Sequence, residues 1–342
     1  DGIMQVNDLL PAPSTEQNPA RHPAGLALRM RHDIAAWRAF LKHQNIAVIN
    51  AHHAVPAYLL LSLMRALRRT RCRLVYSLHG ADVDAMLNGR PAARITERWM
   101  LRQADHIVCC SDSLAARASQ ALKLPAGRIS TVHNGIDPET LDRATHLHYR
   151  PQTGTFDDYL INVATFRPGK GQDVLIEAYL QLIREGIRAA LVLVGRTTPH
   201  LSRLRSQVRR HGLHEHVFFL PDLDHAHTLA AIHKAKLLVQ PSHDEPFGLP
   251  LLESRSLSVP VITTDAPPMN ELVTRARGML LPWNGTEECH LGTRYFVMPE
   301  AVEQAVEDTL STSEAMLAAK AGRARYWVLQ NHRHFEQAFA RE

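Results

Sequence analysis

The stretch His243-Asp244-Glu245-Pro246-Phe247-Gly248-Leu249-Pro250-Leu251-Leu252-Glu253 decides how this chain is read. It follows a strand-like run, Leu237-Leu238-Val239-Gln240, turns at Pro241-Ser242, and sets two glutamates eight positions apart around a Pro-Phe-Gly-Leu-Pro hinge. That order predicts a loop, then a helix N-terminus, then a helix. The backbone N–H groups of Phe247, Gly248 and Leu249 fall in the first turn, where a helix has no internal partners for its donors. Such a turn attracts anionic or hydroxyl-rich ligands. Gly248 puts no side chain between a ligand and the backbone, and Pro250 suits an early helical position that needs no N–H. A lone glutamate is most often a solvated surface residue. Here Leu249, Leu251, Leu252, Leu257, Val259, Val261 and Ile262 make the segment core, so a carboxylate within it is expected to have a task.

Outward from this stretch, short apolar runs alternate with helical periodicity. In the first half the pattern predicts a helix over 34–44, a strand over 46–49, a helix over 56–68, a strand over 74–78, a helix over 92–103, a strand over 106–110, a helix over 112–122 capped by Ser111, and a strand over 129–132. Residues 1–28, with Pro11, Pro13, Pro19 and Pro23, read as extended or irregular. After the turn His133-Asn134-Gly135-Ile136-Asp137-Pro138, the polar sequence to Asp158 reads as a linker. A second series follows: strands over 160–164, 190–194, 217–220, 236–239 and 260–263, with helices over 172–185 and 200–211 among them. Strands alternating with helices at this spacing predict parallel, helix-covered sheets. Two such doubly wound units would face a cleft, with ligands beyond the carboxyl ends of the strands.

Bulk properties agree. A chain of 342 residues suits two domains of roughly 150–180 residues each. The longest apolar run, 54–64, is short of the roughly 20 residues a membrane span needs, and no secretory leader is recognised, so a cytoplasmic protein is expected. Cys72, Cys109, Cys110 and Cys289 have no paired spacing and read as reduced residues. The net charge is +5. Arginine clusters at 65/68/69/71/73 and 203/205/209/210 read first as solvated helix faces, with anionic lipid as a second partner. Nothing indicates base readout of nucleic acid. The histidines at 52–53, 211/214/216 and 225/227 lack matched carboxylate or cysteine ligands, so no metal site is expected.

Two further places carry chemistry. The loop Ala164-Thr165-Phe166-Arg167-Pro168-Gly169-Lys170-Gly171 follows a strand and opens a helix. Its glycines, cation and helix N-terminus suit a pyrophosphate. His79, in Ser77-Leu78-His79-Gly80-Ala81-Asp82, lies at the carboxyl end of a strand, the edge that faces a cleft.

Glu245 and Glu253, embedded in Pro-Ser-x-x-Glu-Pro-Phe-Gly-Leu-Pro-x-x-Glu, resemble the Glu-x7-Glu motif of retaining glycosyltransferases of family 4, which have the GT-B fold. The resemblance covers roughly residues 45–340 and is strongest from 130 to 280. It implies an α/β fold of two Rossmann-like domains facing a cleft: an acceptor-side domain over 1–145, a nucleotide-sugar domain over 146–330, and a terminal helix over 331–342 crossing back. It assigns Glu245 and His79 to the donor sugar and the reaction. Lys170, Arg167, Phe247, Gly248, Leu249 and Glu253 become donor-binding residues, with Lys170 on the diphosphate, Glu253 on the ribose and Asp82 beside His79. The implied donor is a UDP- or GDP-sugar, with no cofactor or metal. The implied acceptor is a glycan or lipid-linked glycan in polysaccharide or lipopolysaccharide assembly, met with peripheral contact at an anionic membrane surface and with no nucleic-acid partner.

The sequence departs from the family at several points. Thr165 stands where the family usually has an arginine, leaving Arg167 as the candidate for that charge. Asp265-Ala266-Pro267-Pro268-Met269-Asn270-Glu271 replaces a Gly-Gly turn and keeps only its glutamate. No strand with a Gly-rich loop precedes Ile34, so the first domain reads as incomplete, and the segment 283–296 is longer and more polar than the family's connection. A non-catalytic GT-B binding protein is therefore the main alternative, with a sugar-nucleotide epimerase or phosphorylase-like enzyme as a further one.

Overall fold

The structure is a computed structural model that describes residues 23–52, 58–80, 91–125, 127–289 and 292–341. Expectations for residues 1–22, for the start of the 56–68 helix and for Asp82 lie outside these residues. Two parallel sheets organise the chain. The first contains β1 (Val48–His52), β2 (Arg73–Leu78), β3 (His106–Cys109) and β4 (Ile129–Thr131), in that spatial order. Helices α1 (Pro23–His43), α2 (Leu59–Ala66), α3 (Pro91–Gln103) and α4 (Asp112–Leu122) connect or flank them. Ser111 caps α4 by accepting the Leu114 N–H at 3.2 Å.

The second sheet has six strands. These are β5 (Tyr159–Val163), β6 (Ala190–Gly195), β7 (Val217–Pro221), β8 (Leu237–Gln240), β9 (Val261–Thr264) and β10 (Met279–Leu281), in the order β10-β9-β8-β5-β6-β7. The order reverses between β5 and β8, so the loops after those two strands diverge and leave a crevice at the carboxyl edge. Both loops singled out in the sequence, 164–171 and 241–248, leave this point. The strands are near-continuous apolar runs, as burial on both faces requires. Leu160, Ile161, Leu191, Val192, Leu193, Leu237, Leu238 and Val239 are all fully buried.

The interleaved helices are α6 (Gln172–Arg184), α7 (His200–Arg210), α8 (His225–His233), α9 (Leu249–Ser256) and α10 (Met269–Leu272). The chain closes with α11 (Pro299–Ser311) and α12 (Glu314–Arg341). Helix α12 packs on α9, where the Arg255 guanidinium lies 4.8 Å from the Trp327 ring centroid. Fully buried Arg255 donates to the Leu272 carbonyl, and burial lowers its pKa to about 9. The residues 331–341, expected to return to the first domain, continue α12 as helix.

Two expectations need correction, and a third segment gains a definite structure. Residues 23–28 are helical, because Pro23 stands at the first position of α1, where a missing N–H costs nothing. The stretch expected to be linker contains α5 (Pro138–Thr145). Its signals were local: Asp137 accepts the N–H groups of Glu139 and Thr140, and Pro138 follows it. The polar segment 283–296 is an antiparallel hairpin of β11 (Trp283–Cys289) and β12 (Gly292–Val297). It starts just past β10 and therefore rises from the same carboxyl edge as the two loops.

Candidate active site

The crevice between β5 and β8 brings together residues separated by more than seventy positions. Lys170 Nζ, 8% exposed, lies 2.8 Å from Glu245 Oε2 and donates at 3.0 Å to the Asp244 carbonyl. The Ser242 hydroxyl reaches the same Glu245 oxygen at 3.4 Å. The two loops are also joined by their backbones, since the N–H groups of His243 and Asp244 donate to the Gly169 carbonyl at 2.8 and 3.1 Å. Gly169 is required there. Its φ is +92°, and a Cβ would run into the Asp244 carboxylate.

Asp244, which sequence reasoning passed over, is the hub of this arrangement. Its carboxylate is 5% exposed and is held by both terminal nitrogens of Arg167, by Arg294 Nε at 3.3 Å, and by Lys170 Nζ at 3.9 Å. Burial alone would push this carboxyl up. The Arg167 hydrogen bonds and charge, joined by Lys170 and Arg294, outweigh burial and hold it below the ordinary aspartate range. Arg167, the candidate for the charge missing at Thr165, is paired with Asp244.

The remaining expected residues divide. Gly248 precedes α9 with φ +102°, and the Leu251 N–H donates to its carbonyl at 3.0 Å to open the helix. Leu249 is 44% exposed at the helix mouth, whereas Phe247 is buried with its ring 6.1 Å from that of His133. Glu253 lies about one turn along α9 and is not part of the Lys170 cluster. Its Oε1 meets His225 Nε2 at 2.8 Å, and this bond, against partial burial, lifts the imidazole above its ordinary range. His79 follows the carboxyl end of β2 in the first sheet, its Nε2 3.0 Å from His52 Nδ1 and the rings stacked. A histidine pair split between two strand ends leaves no short sequence signal.

The two sheets meet around the same hinge. A Cβ on Gly80 would stand 3.2 Å from Pro246 Cβ, and Cys110 Sγ lies 3.9 Å from the Pro246 carbonyl. Glu271, on α10, accepts the N–H groups of Asp112 and Ser113 at 2.8 and 2.9 Å, capping α4 of the first domain from the second. Burial would raise the Glu271 carboxyl, but His133 and those two donors hold it low. Ligand atoms of Asp112, His133 and Glu271 lie within 4.8 Å of one another. Both Glu271 oxygens already accept helix amides, so the group reads as a cap.

Two parallel Rossmann-like sheets meeting at their carboxyl edges define a GT-B architecture, and comparison with known proteins agrees. The profile described as glycosyl transferases group 1 matches residues 149–307, and that of glycosyltransferase family 4 matches residues 10–140. The chain belongs to glycosyltransferase family 4. Glycogen synthase of Mycobacterium tuberculosis is 27% identical over 252 residues, covering 73% of this chain and 58% of that protein. The O-antigen biosynthesis glycosyltransferase WclY of Escherichia coli is 30% identical over 151 residues, covering 44% and 41%. The chain thus spans less than two thirds of the length of these relatives. Among solved structures, Anabaena HepE in complex with UDP and glucose aligns with a TM-score of 0.67 at 20% identity, covering 95% of this chain and 84% of that one.

Proposed function

We propose that this protein is a retaining glycosyltransferase that moves a sugar from a nucleotide-sugar donor to a glycan or lipid-linked acceptor. The observation that carries the reading is the meeting of Lys170 and Glu245 at 2.8 Å in the crevice where the strand order reverses. A donor diphosphate entering there would find a buried ammonium and the first turn of α9, which together stabilise negative charge developing on the leaving group. Displaced from Lys170, the Glu245 carboxylate would accept hydrogen bonds from the donor sugar and hold its reactive face. Glu253, further along α9 and oriented by His225, is assigned to the ribose hydroxyls. His79, which precedes the Gly80 that abuts Pro246, is assigned to a sugar hydroxyl.

The bond from the anomeric carbon to the diphosphate oxygen breaks as the bond to the acceptor oxygen forms on the same face. The acceptor proton passes to the leaving phosphate, so no protein base is needed. Glu245 and Glu253 are therefore not an acid–base pair of the glycosidase kind. A UDP-sugar is the first donor to try, in line with the UDP and glucose held by HepE. Cell-surface polysaccharide or lipopolysaccharide assembly is the role in line with WclY. The exposed Arg68, Arg69, Arg71 and Arg73 would give peripheral contact with an anionic membrane, and no described helix is long and apolar enough to cross one.

The test is nucleotide binding and release with UDP- and GDP-sugars. Glu253→Ala is expected to weaken nucleotide binding roughly 10-fold, the loss of a charged hydrogen bond. Glu245→Ala is expected to slow transfer roughly 100-fold with little loss of binding. Unchanged activity in both variants would sink the assignment. Binding without transfer to any acceptor would favour the non-catalytic alternative, to which Thr165 and the engaged Arg167 already lend some support.

A further inference from the structure

The hairpin β11–β12 is the part of the ligand edge that the proposed function leaves without a task, yet it is tied to that edge at several points. At its base the Trp283 indole N–H donates to the Asp265 carbonyl at 3.0 Å, in the loop that leads to Glu271. Tyr295 packs edge-on against Trp283, with ring centroids 5.2 Å apart. The Tyr295 backbone N–H donates to the His243 carbonyl at 2.8 Å, and Phe296 meets the His243 ring at 5.2 Å. Between these anchors Arg294 donates through Nε to Asp244 Oδ2 at 3.3 Å and through Nη1 to Glu287 at 3.4 Å.

Charge decides what this arrangement accomplishes. Asp244 is buried and Glu287 is 56% exposed, so water screens the second contact far more than the first. Within the buried cluster, Arg167 and Lys170 alone would balance Asp244 and Glu245, leaving no surplus for a polyanion. Arg294 is the third cation, and it enters from a different element. With it, Asp244 is satisfied without drawing Lys170 away from the Glu245 side, where the two nitrogen–carboxylate distances are 3.9 and 2.8 Å.

We propose that the hairpin is a positioning arm for the donor site: Arg294 fixes Asp244, and through Asp244 it sets Arg167, Lys170 and the loop that carries Glu245. Arg294 acts through Asp244 and is a positioning residue. The proposal rests on the donor-site reading for its effect on nucleotides, but the placement of the loop is measurable without any ligand.

Two measurements on the whole chain separate these parts. Hydrogen exchange of Arg294→Ala should show roughly 10-fold faster exchange at the amides of His243, Asp244 and Tyr295, the change that follows from losing about 1.4 kcal/mol of local restraint. Calorimetry with UDP, GDP and ADP as probes should show binding weakened roughly 10-fold in Arg294→Ala, with donor KM raised more than kcat is lowered. Arg294→Lys, which keeps a point charge, should restore most of both effects. Unchanged exchange at those amides overturns the proposal, as does a lower melting temperature with nucleotide affinity and KM intact. If the wild-type protein binds none of the three nucleotides, the donor-site reading fails, and exchange alone still decides whether the arm positions the loop.

Discussion

The two walls of the cleft are built on different principles. On the second domain, the buried Lys170 and Asp244 and the largely buried Glu245 are packed with the partly exposed Arg167 and Arg294, cross-linked by backbone bonds and braced by a hairpin. On the first, the described cleft residues are stacked imidazoles, His52 and His79, with Cys110 and Gly80 lying against Pro246. One wall holds fixed charge, which suits the diphosphate proposed for it. The other offers imidazole nitrogens, which can hydrogen-bond the hydroxyl-rich molecule proposed for it. Among the described residues, Glu271 ties the two walls through a charged group, with Cys110 against the Pro246 carbonyl as a weaker polar contact.

The sharpest way to break this contrast is to remove the cation at its centre. Lys170→Ala leaves Glu245 and Asp244 short of a buried partner, so it should lower unfolding stability by about 3 kcal/mol and nucleoside diphosphate binding by roughly 100-fold. Urea denaturation and calorimetry report both. A variant that still binds as wild type would place the diphosphate elsewhere.

The next test addresses the link between the walls. Glu271→Ala removes two bonds from helix amides to a carboxylate, each worth roughly 1.5–3 kcal/mol. It should open the cleft, seen as an increased radius of gyration by X-ray scattering. The Glu271 carboxyl lies below its ordinary value of 4.5. Its contribution is therefore present above that value and is lost as pH falls through the lower folded one, so acid should open the wild-type cleft as well. An unchanged radius in both experiments would remove Glu271 as the link.

The smallest effect belongs to His225. Its contact with Glu253 raises its pKa, so the contribution to stability is complete below the ordinary value of 6.5 and is lost as pH rises through the raised one. The imidazole is 63% exposed and screened by water. His225→Ala should therefore cost about 1 kcal/mol or less at pH 6, and less again at pH 9, in thermal melts. A larger loss at alkaline pH would contradict the pairing.

Much of this was legible in the chain. The apolar periods placed the strands of the two parallel sheets except β10, and neither strand of the hairpin, while the turn chemistry of Ser111 and Pro250 marked two helix starts because such signals act within a few residues. Asp137-Pro138 carried the same kind of signal and was overlooked within polar sequence. The glutamate pair and the Lys-Gly loop stood out because each surrounds a polar group with core residues. Asp244 was hidden beside Glu245, since adjacency in sequence does not reveal which of two carboxylates is the buried one. Arg294 was one cation among many in a segment noted only for being long and polar.

The sequence by itself determined two parallel sheets, the loops at their edges and the membership in family 4, because hydrophobic periodicity and short-range motifs are local properties. Only the tertiary structure decided the order of the strands, and with it that the loops after β5 and β8 diverge at one crevice. It alone joined Lys170 to Glu245, Arg294 to Asp244, Glu271 to α4 and His52 to His79. Those pairings span tens to more than a hundred residues, and a charge reaches its partner across such a distance only after the sheets have placed both.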